Sequence, residues 1–256
     1  MSRGIQWKAR SFLFNRCVGF CIVSRGRGSV LIGQLKFTSK GRGTAERGDL
    51  YGLPVLLART DPEGWLGERR LRRAGRGLRR GGVLRTLVPK GFDRWALLEE
   101  YGLRGIDPTD LVRGQSVPLA LRALERRGVA PDRATVALRG LRADRDMART
   151  AALLCRSVRL LVISAPQGGG ALAEWLRREF GVPVLPPGER GALAVRFHPQ
   201  GGGEEEAVLD LYGPSPGLDG ILLSAPALKQ EDQTDLSLLA ALWEGGKLRS
   251  EDLKIT

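Results

Sequence analysis

ATVALRGLRADRDMARTAALLCRSVRLLVISAPQGGGALAEWLRREFGVPVL, residues 134–185, is the stretch whose reading decides the fold. Ala134–Arg139 is a short apolar run of the buried-strand kind. Asp144 supplies an N-cap acceptor for a helix with Met147, Ala148, Ala151, Leu154 and Cys155 on one face. Val158–Ile163 is a second buried strand. Gly168-Gly169-Gly170 leads into a helix with Leu172, Trp175, Leu176 and Phe180 on one side. Gly181 ends that helix, and Val182–Leu185 is a third strand. Such alternation builds a parallel sheet covered by helices. Sheets of that kind take ligands at the carboxyl ends of their strands.

The same alternation extends upstream. Leu53–Ala58 reads as a strand, and Asp61-Pro62 starts a helix with Leu71, Ala74 and Leu78 inward. Gly81-Gly82 stops it, and Val83–Val88 is the next strand. Phe92–Tyr101 reads as a helix, Leu103–Ile106 as a short strand, and Val117–Arg127 as a helix closed by Gly128. The pattern predicts a doubly wound, Rossmann-like α/β domain over residues 53–190 with one mostly parallel sheet. Beyond Pro186-Pro187 the turn residues predict an appendage over 191–256. It comprises antiparallel strands at Ala192–Phe197, Val208–Tyr212 and Ile221–Ser224, and a helix at Thr234–Glu244.

The net charge of +13 is unevenly spread. Residues 1–48 carry +9, residues 49–150 carry +8 and residues 151–256 carry −4. Residues 1–48 show no sustained period and hold the glycine-broken basic runs Arg25–Gly28 and Lys40–Gly43. They are expected to form a disordered basic extension, or to reflect a start codon placed too far upstream, with a nucleic-acid-binding arm as the remaining reading. Cys17, Cys21 and Cys155 are an odd count, which favours a reducing, cytoplasmic setting over a disulfide framework. The apolar run Ser11–Val23 is too short to span a bilayer.

The layout of residues 134–185 resembles the second half of shikimate dehydrogenases and glutamyl-tRNA reductases. In those families a strand, a phosphate loop, a helix, a strand ending in a cofactor-selecting residue and a further helix follow one another. The resemblance covers about 50 residues and is one of layout. The family loop is G-x-G-x-x-G/A, and here it reads Gly140-Leu141-Arg142-Ala143-Asp144-Arg145, with Gly140 alone matching. Ser164 takes the place of the acid that would bind a ribose. No dinucleotide, and no other cofactor, is therefore expected.

The strand ends suggest a different site. Lys90, Arg139, Gly140, Arg142, Ser164, Gly168, Gly169 and Gly170 would share one edge of a single parallel sheet, along with Thr60, Asp61 and Asp107. Cations and hydroxyls there suit an anionic small molecule or mononucleotide. The leading expectation is a non-catalytic or regulatory module binding such a ligand. An enzyme acting on a phosphorylated or carboxylated small molecule is the alternative. A deep pocket would favour the enzyme, and a shallow edge with paired charges the module. His198, the only histidine, must serve any Ser-His-Asp or Cys-His chemistry, and Gly114–Pro118 lacks the second glycine of a nucleophile elbow. The helix at 69–80 carries seven arginines in twelve residues and is a lesser candidate for nucleic-acid binding.

Overall fold

Strands and helices alternate as the sequence pattern requires, but they are divided between two sheets. The structure, a computed structural model, describes residues 31–199 and 207–256. The first sheet contains β1 (Ile32–Phe37), β2 (Arg42–Leu50), β3 (Leu53–Thr60), β4 (Arg85–Leu87) and β5 (Arg104–Gly105), in the order β2-β3-β1-β4-β5. Only β2 runs antiparallel, joined to β3 by the two-residue turn Tyr51-Gly52, both at positive φ. The second sheet contains β6 (Thr135–Arg139), β7 (Leu160–Ser164), β8 (Val184–Leu185), β9 (Leu193–Arg196) and β10 (Val208–Asp210). Its order is β10-β9-β6-β7-β8, parallel throughout. The chain is thus a mixed α/β protein with mostly parallel five-stranded sheets flanked by helices.

Helices cover both faces of the first sheet. On one side α1 (Gly67–Arg80) and α2 (Trp95–Glu99) bury Leu71, Ala74, Leu78 and Leu98 against Leu35 and Ala58. On the other side α3 (Thr109–Gly114) and the C-terminal helix α7 (Leu236–Glu244) place Leu111, Leu238, Leu239 and Leu242 against Ile32, Val55 and Leu87. In the second sheet α4 (Ser116–Arg126), α5 (Arg145–Leu154) and α6 (Gly169–Phe180) share one buried cluster with Val136, Leu138, Leu161, Ile163, Leu193 and Val195. Alternate residues of the same strands, Ala137, Val162 and Ala194, form a separate small cluster on the opposite face.

Three expectations need correction. First, residues 31–48 are not a disordered extension. β1 lies at the centre of its sheet, pairing with β3 on one side and β4 on the other, and β2 is an edge strand on β3. The signal is weak because β1 has polar and glycine residues between Ile32 and Leu35. β2 is held by its backbone ladder and contributes little apolar surface. Gly43, which read as a flexible breaker, sits in a bulge at φ +73, where a Cβ would lie 2.3 Å from the Arg70 carbonyl oxygen. Residues 1–30, with Cys17, Cys21 and Arg25–Gly28, lie outside the described residues.

Second, the predicted single sheet is two, split between β5 and β6. Third, the segments at 193–196 and 208–210 are not an antiparallel appendage. They join the second sheet in parallel. A strand of four residues is only about 13 Å long, so the seven residues 186–192 suffice to return from β8 to the start of β9 without a helix. An antiparallel pair does occur further on, between β11 (Leu223–Ser224) and β12 (Lys254–Ile255). The segment carrying β11 and α7 packs back on the first sheet. No helix among the described residues is long and apolar enough to cross a membrane.

Candidate anion-binding edge

The carboxyl ends of four neighbouring strands in the second sheet place Asp210, Arg196, Arg139 and Ser164 side by side. Asp210 is in register with Arg196, Arg196 with Arg139, and Arg139 with Ser164. Residues in register on parallel strands point to the same face, here the face of Ala137, Val162 and Ala194. All four are half-buried. Arg196 Nη1 lies 3.7 Å from Asp210 Oδ1. Burial raises the Tyr212 phenol above its ordinary value, and the neighbouring Asp210 carboxylate adds to that shift.

The loops beyond β6 and β7 are knitted together. Gly140 N–H donates to Ser164 O at 3.0 Å, Ala143 N–H to Gln167 O at 2.8 Å, and Gln167 N–H to Leu141 O at 3.3 Å. Arg142 and Gln167 form a parallel bridge, and the Arg142 side chain is exposed. Gly168 N-caps α6 at φ +78, and Gly169 N–H donates to Ala165 O. Several amides that would cradle a pyrophosphate in a dinucleotide loop are thus committed within the chain. Gly140 itself faces a crowded site, where a Cβ would lie 2.7 Å from Met147 Cε and 2.8 Å from His198 Nδ1.

Behind this edge is a polar cluster built from three segments. The Arg113 guanidinium, on α3, donates from Nε to Leu211 O at 3.1 Å and from Nη2 to Phe197 O. It stacks over the Phe197 ring and lies 3.4 Å from Asp144 Oδ2 and 3.6 Å from Asp146 Oδ2. Asp144 caps α5, accepting from Met147 N–H at 2.9 Å through Oδ1. Its Oδ2 lies 3.5 Å from His198 Nε2. His198 Nδ1 is buried and has no hydrogen-bond partner among the described residues. Burial lowers the His198 pKa from its ordinary value, Asp144 opposes that shift, and Arg113 and Arg142 reinforce it. The imidazole is therefore neutral at pH 7.

Arg139, Gly140, Arg142, Ser164 and Gly168–Gly170 lie at the ends of β6 and β7 and in the segments after them. Lys90 does not belong with them. It follows β4 of the other sheet and donates from Nζ to Glu231 O at 2.9 Å. Thr60 and Asp61 likewise end β3 of the first sheet, where Asp61 pairs with Arg70 at 2.9 Å. Asp107 accepts from Thr109 N–H. The single-sheet premise had merged two edges into one. Ser116 is not a nucleophile in an elbow: it is buried at the start of α4, its hydroxyl 2.6 Å from Thr150 Oγ1. Burial pushes the Cys155 thiol up to about 11. Sequence reading missed Arg113, Arg196 and Asp210. The first lies in a six-residue helix without a motif, and the other two lie on strands whose direction was misjudged.

No protein-family model matches the chain, and no curated protein matches it. Among solved structures it is similar to L-tryptophan dehydrogenase from Nostoc punctiforme, at 16% identity and a TM-score of 0.30, over 65% of this chain and 56% of that one. The chain spans just over half the length of that protein. The fold assignment rests on the strand order and pairing given above.

Proposed function

We propose that this chain is a non-catalytic module that holds an anionic small molecule at the carboxyl edge of its second sheet. The observation that carries the reading is the in-register row Asp210–Arg196–Arg139–Ser164, two guanidinium groups, one of them paired with Asp210, and a hydroxyl on one face. Guanidinium groups pair bidentately with phosphate or carboxylate and keep their charge at every working pH. Arg142 at the rim adds an exposed cation. The non-catalytic part of the reading draws on how the titratable groups are used. Asp144 caps a helix and pairs with Arg113, Asp210 pairs with Arg196, and Ser116 is bonded to Thr150.

Titration calorimetry of the full chain with a nucleoside monophosphate, inorganic phosphate and a dicarboxylate tests the proposal. Binding of at least one is expected, weakened about tenfold or more by Arg139→Gln and by Ser164→Ala. Arg142→Ala should weaken it less, through lost long-range attraction. Nicotinamide dinucleotides should bind weakly, since the loop amides are occupied. Tight dinucleotide binding, or anion binding indifferent to Arg139→Gln and Ser164→Ala, refutes the reading.

A further inference from the structure

The surface of α1 carries a second cationic feature, on the other sheet and unconnected with the edge just described. Leu71, Ala74 and Leu78 are fully buried, so the apolar face of the helix is spent on the first sheet. Six of its seven arginines fall into two sets, with the exposed Arg79 in neither. Arg70 pairs with Asp61, and Arg72 with Glu68 and Glu100. Arg69, Arg73, Arg76 and Arg80 follow one another at intervals of four, three and four, all exposed and on one stripe. None has a carboxylate partner among the described residues. Arg76 lies over the Tyr101 ring, 5.9 Å from its centroid. Arg69/Arg73 and Arg76/Arg80 are like-charge pairs at i,i+4, which disfavour an isolated helix. At 1.5 Å per residue the stripe is roughly 16 Å long.

Trp65 stands at the amino-terminal end of the stripe, four residues before Arg69, and is 88% exposed. An open groove of about 860 Å³ runs beside it, lined by Glu68, Arg69, Arg72, Arg94 and Leu97, with Glu68 paired to Arg72. Phe92 and Trp95 nearby stack edge to face on each other, whereas Trp65 makes no ring contact among the described residues. A bare indole beside a row of unpaired guanidiniums combines a stacking platform with an electrostatic track. That is the recognition chemistry of unpaired nucleic acid, in which bases stack on aromatic rings and phosphates follow cations. A duplex would keep its bases from the indole. A membrane-surface helix would offer an apolar face, and α1 has none to offer.

We infer that the Trp65–Arg80 surface binds single-stranded nucleic acid, with Trp65 stacking on a base and Arg69, Arg73, Arg76 and Arg80 on successive phosphates. Fluorescence anisotropy of the full chain with a labelled twelve-nucleotide oligo(U) tests this. Four phosphate contacts predict a slope of log affinity against log salt near −2.8, so that affinity falls about 50-fold between 50 and 200 mM salt. The double variant Arg69→Gln/Arg73→Gln should lower the slope to about −1.4, or roughly sevenfold over the same range. Trp65→Ala should weaken binding about tenfold at every salt concentration and leave the slope unchanged. These side chains are exposed, and the two replaced arginines are unpartnered, so both variants should melt like the parent. No binding at 50 mM salt overturns the inference. So does binding that both variants leave intact, which would assign it to another basic segment. Displacement of the oligonucleotide by polyglutamate or phosphatidylserine vesicles at matched charge, or equal Trp65 dependence with a duplex, also overturns it.

Discussion

Replacing Arg113 by alanine should cost this protein more stability than any single change at the anion edge. The guanidinium donates to main-chain carbonyls at the ends of two strands, Phe197 O after β9 and Leu211 O after β10. It also faces the carboxylate that caps α5. Its side chain is only 14% exposed, and that of Asp144 16%. Hydrogen bonds to charged groups contribute about 1.5–3 kcal/mol each, and breaking a buried ion pair costs about 3–5 kcal/mol because the survivor is left unpaired. Asp144 keeps its bond from Met147 N–H, and some water would reach the freed carbonyls. A net loss of about 3–4 kcal/mol follows, or a fall in Tm of roughly 10 °C for a chain of this size. Arg113→Lys keeps the charge but lacks the planar fork, so its single ammonium can serve one carbonyl at a time. It should lose about half as much. A double-mutant cycle with Asp144→Asn, read by differential scanning calorimetry, should return a coupling of about 1 kcal/mol. A Tm within 2 °C of the parent for Arg113→Ala would mean that the strand ends are held without this side chain, and the reasoning would fail.

Other consequences follow from the same contacts. Gly43→Ala should destabilise by about 2 kcal/mol or more, since it combines a positive φ with a backbone oxygen in the way; urea unfolding gives the value. Deleting residues 1–48 removes β1 from the centre of the first sheet, so the truncated chain should show no cooperative melting transition. Acidification should weaken the fold through His198. The unfolded imidazole titrates near 6.5 and the folded one lower, so between those values the unfolded chain binds the extra proton. Stability is full above about pH 7 and is lost as pH falls through that window, and His198→Asn should flatten that part of the Tm-against-pH curve. In a Cys17→Ser/Cys21→Ser background, Cys155 should react slowly with iodoacetamide at pH 8, because its thiol titrates at about 11. Denaturant should restore an ordinary rate.

The elements with a strong local period were legible. Asp144 caps its helix as its position implies, Leu71, Ala74 and Leu78 are buried together, and the β6–β7 pairing brings Arg139 beside Ser164. The failures share a cause, which is that long-range pairing leaves little trace in a short window. β1 is central only because β3 and β4, some twenty and fifty residues away, flank it. Nothing in Ile32–Phe37 announces that. β9 and β10 looked like hairpin strands because prolines and glycines surround them, yet their direction is set by β6. Arg113 recognises backbone carbonyls, which have no residue type to search for.

Gly140 shows how a glycine after the first strand can meet a different physical demand. In a dinucleotide loop a glycine after the first strand lets a pyrophosphate approach the backbone. Here the space that a Cβ would fill is already taken by Met147 Cε and His198 Nδ1, and the Gly140 amide is spent on Ser164 O. The glycine is needed for the packing of α5 and the end of β9 against the loop. Leu141 and Arg142 can then be large, because the loop closes on Gln167. With those amides committed, the proposed anion would have to be met by the side chains of Arg139, Arg142, Arg196 and Ser164. Side-chain guanidiniums carry full charges on flexible stems, so such a site attracts by charge over a Debye length of about 8 Å in physiological salt. Under the proposed function it would select for compact, strongly charged groups over extended cofactors that need a shaped backbone cradle.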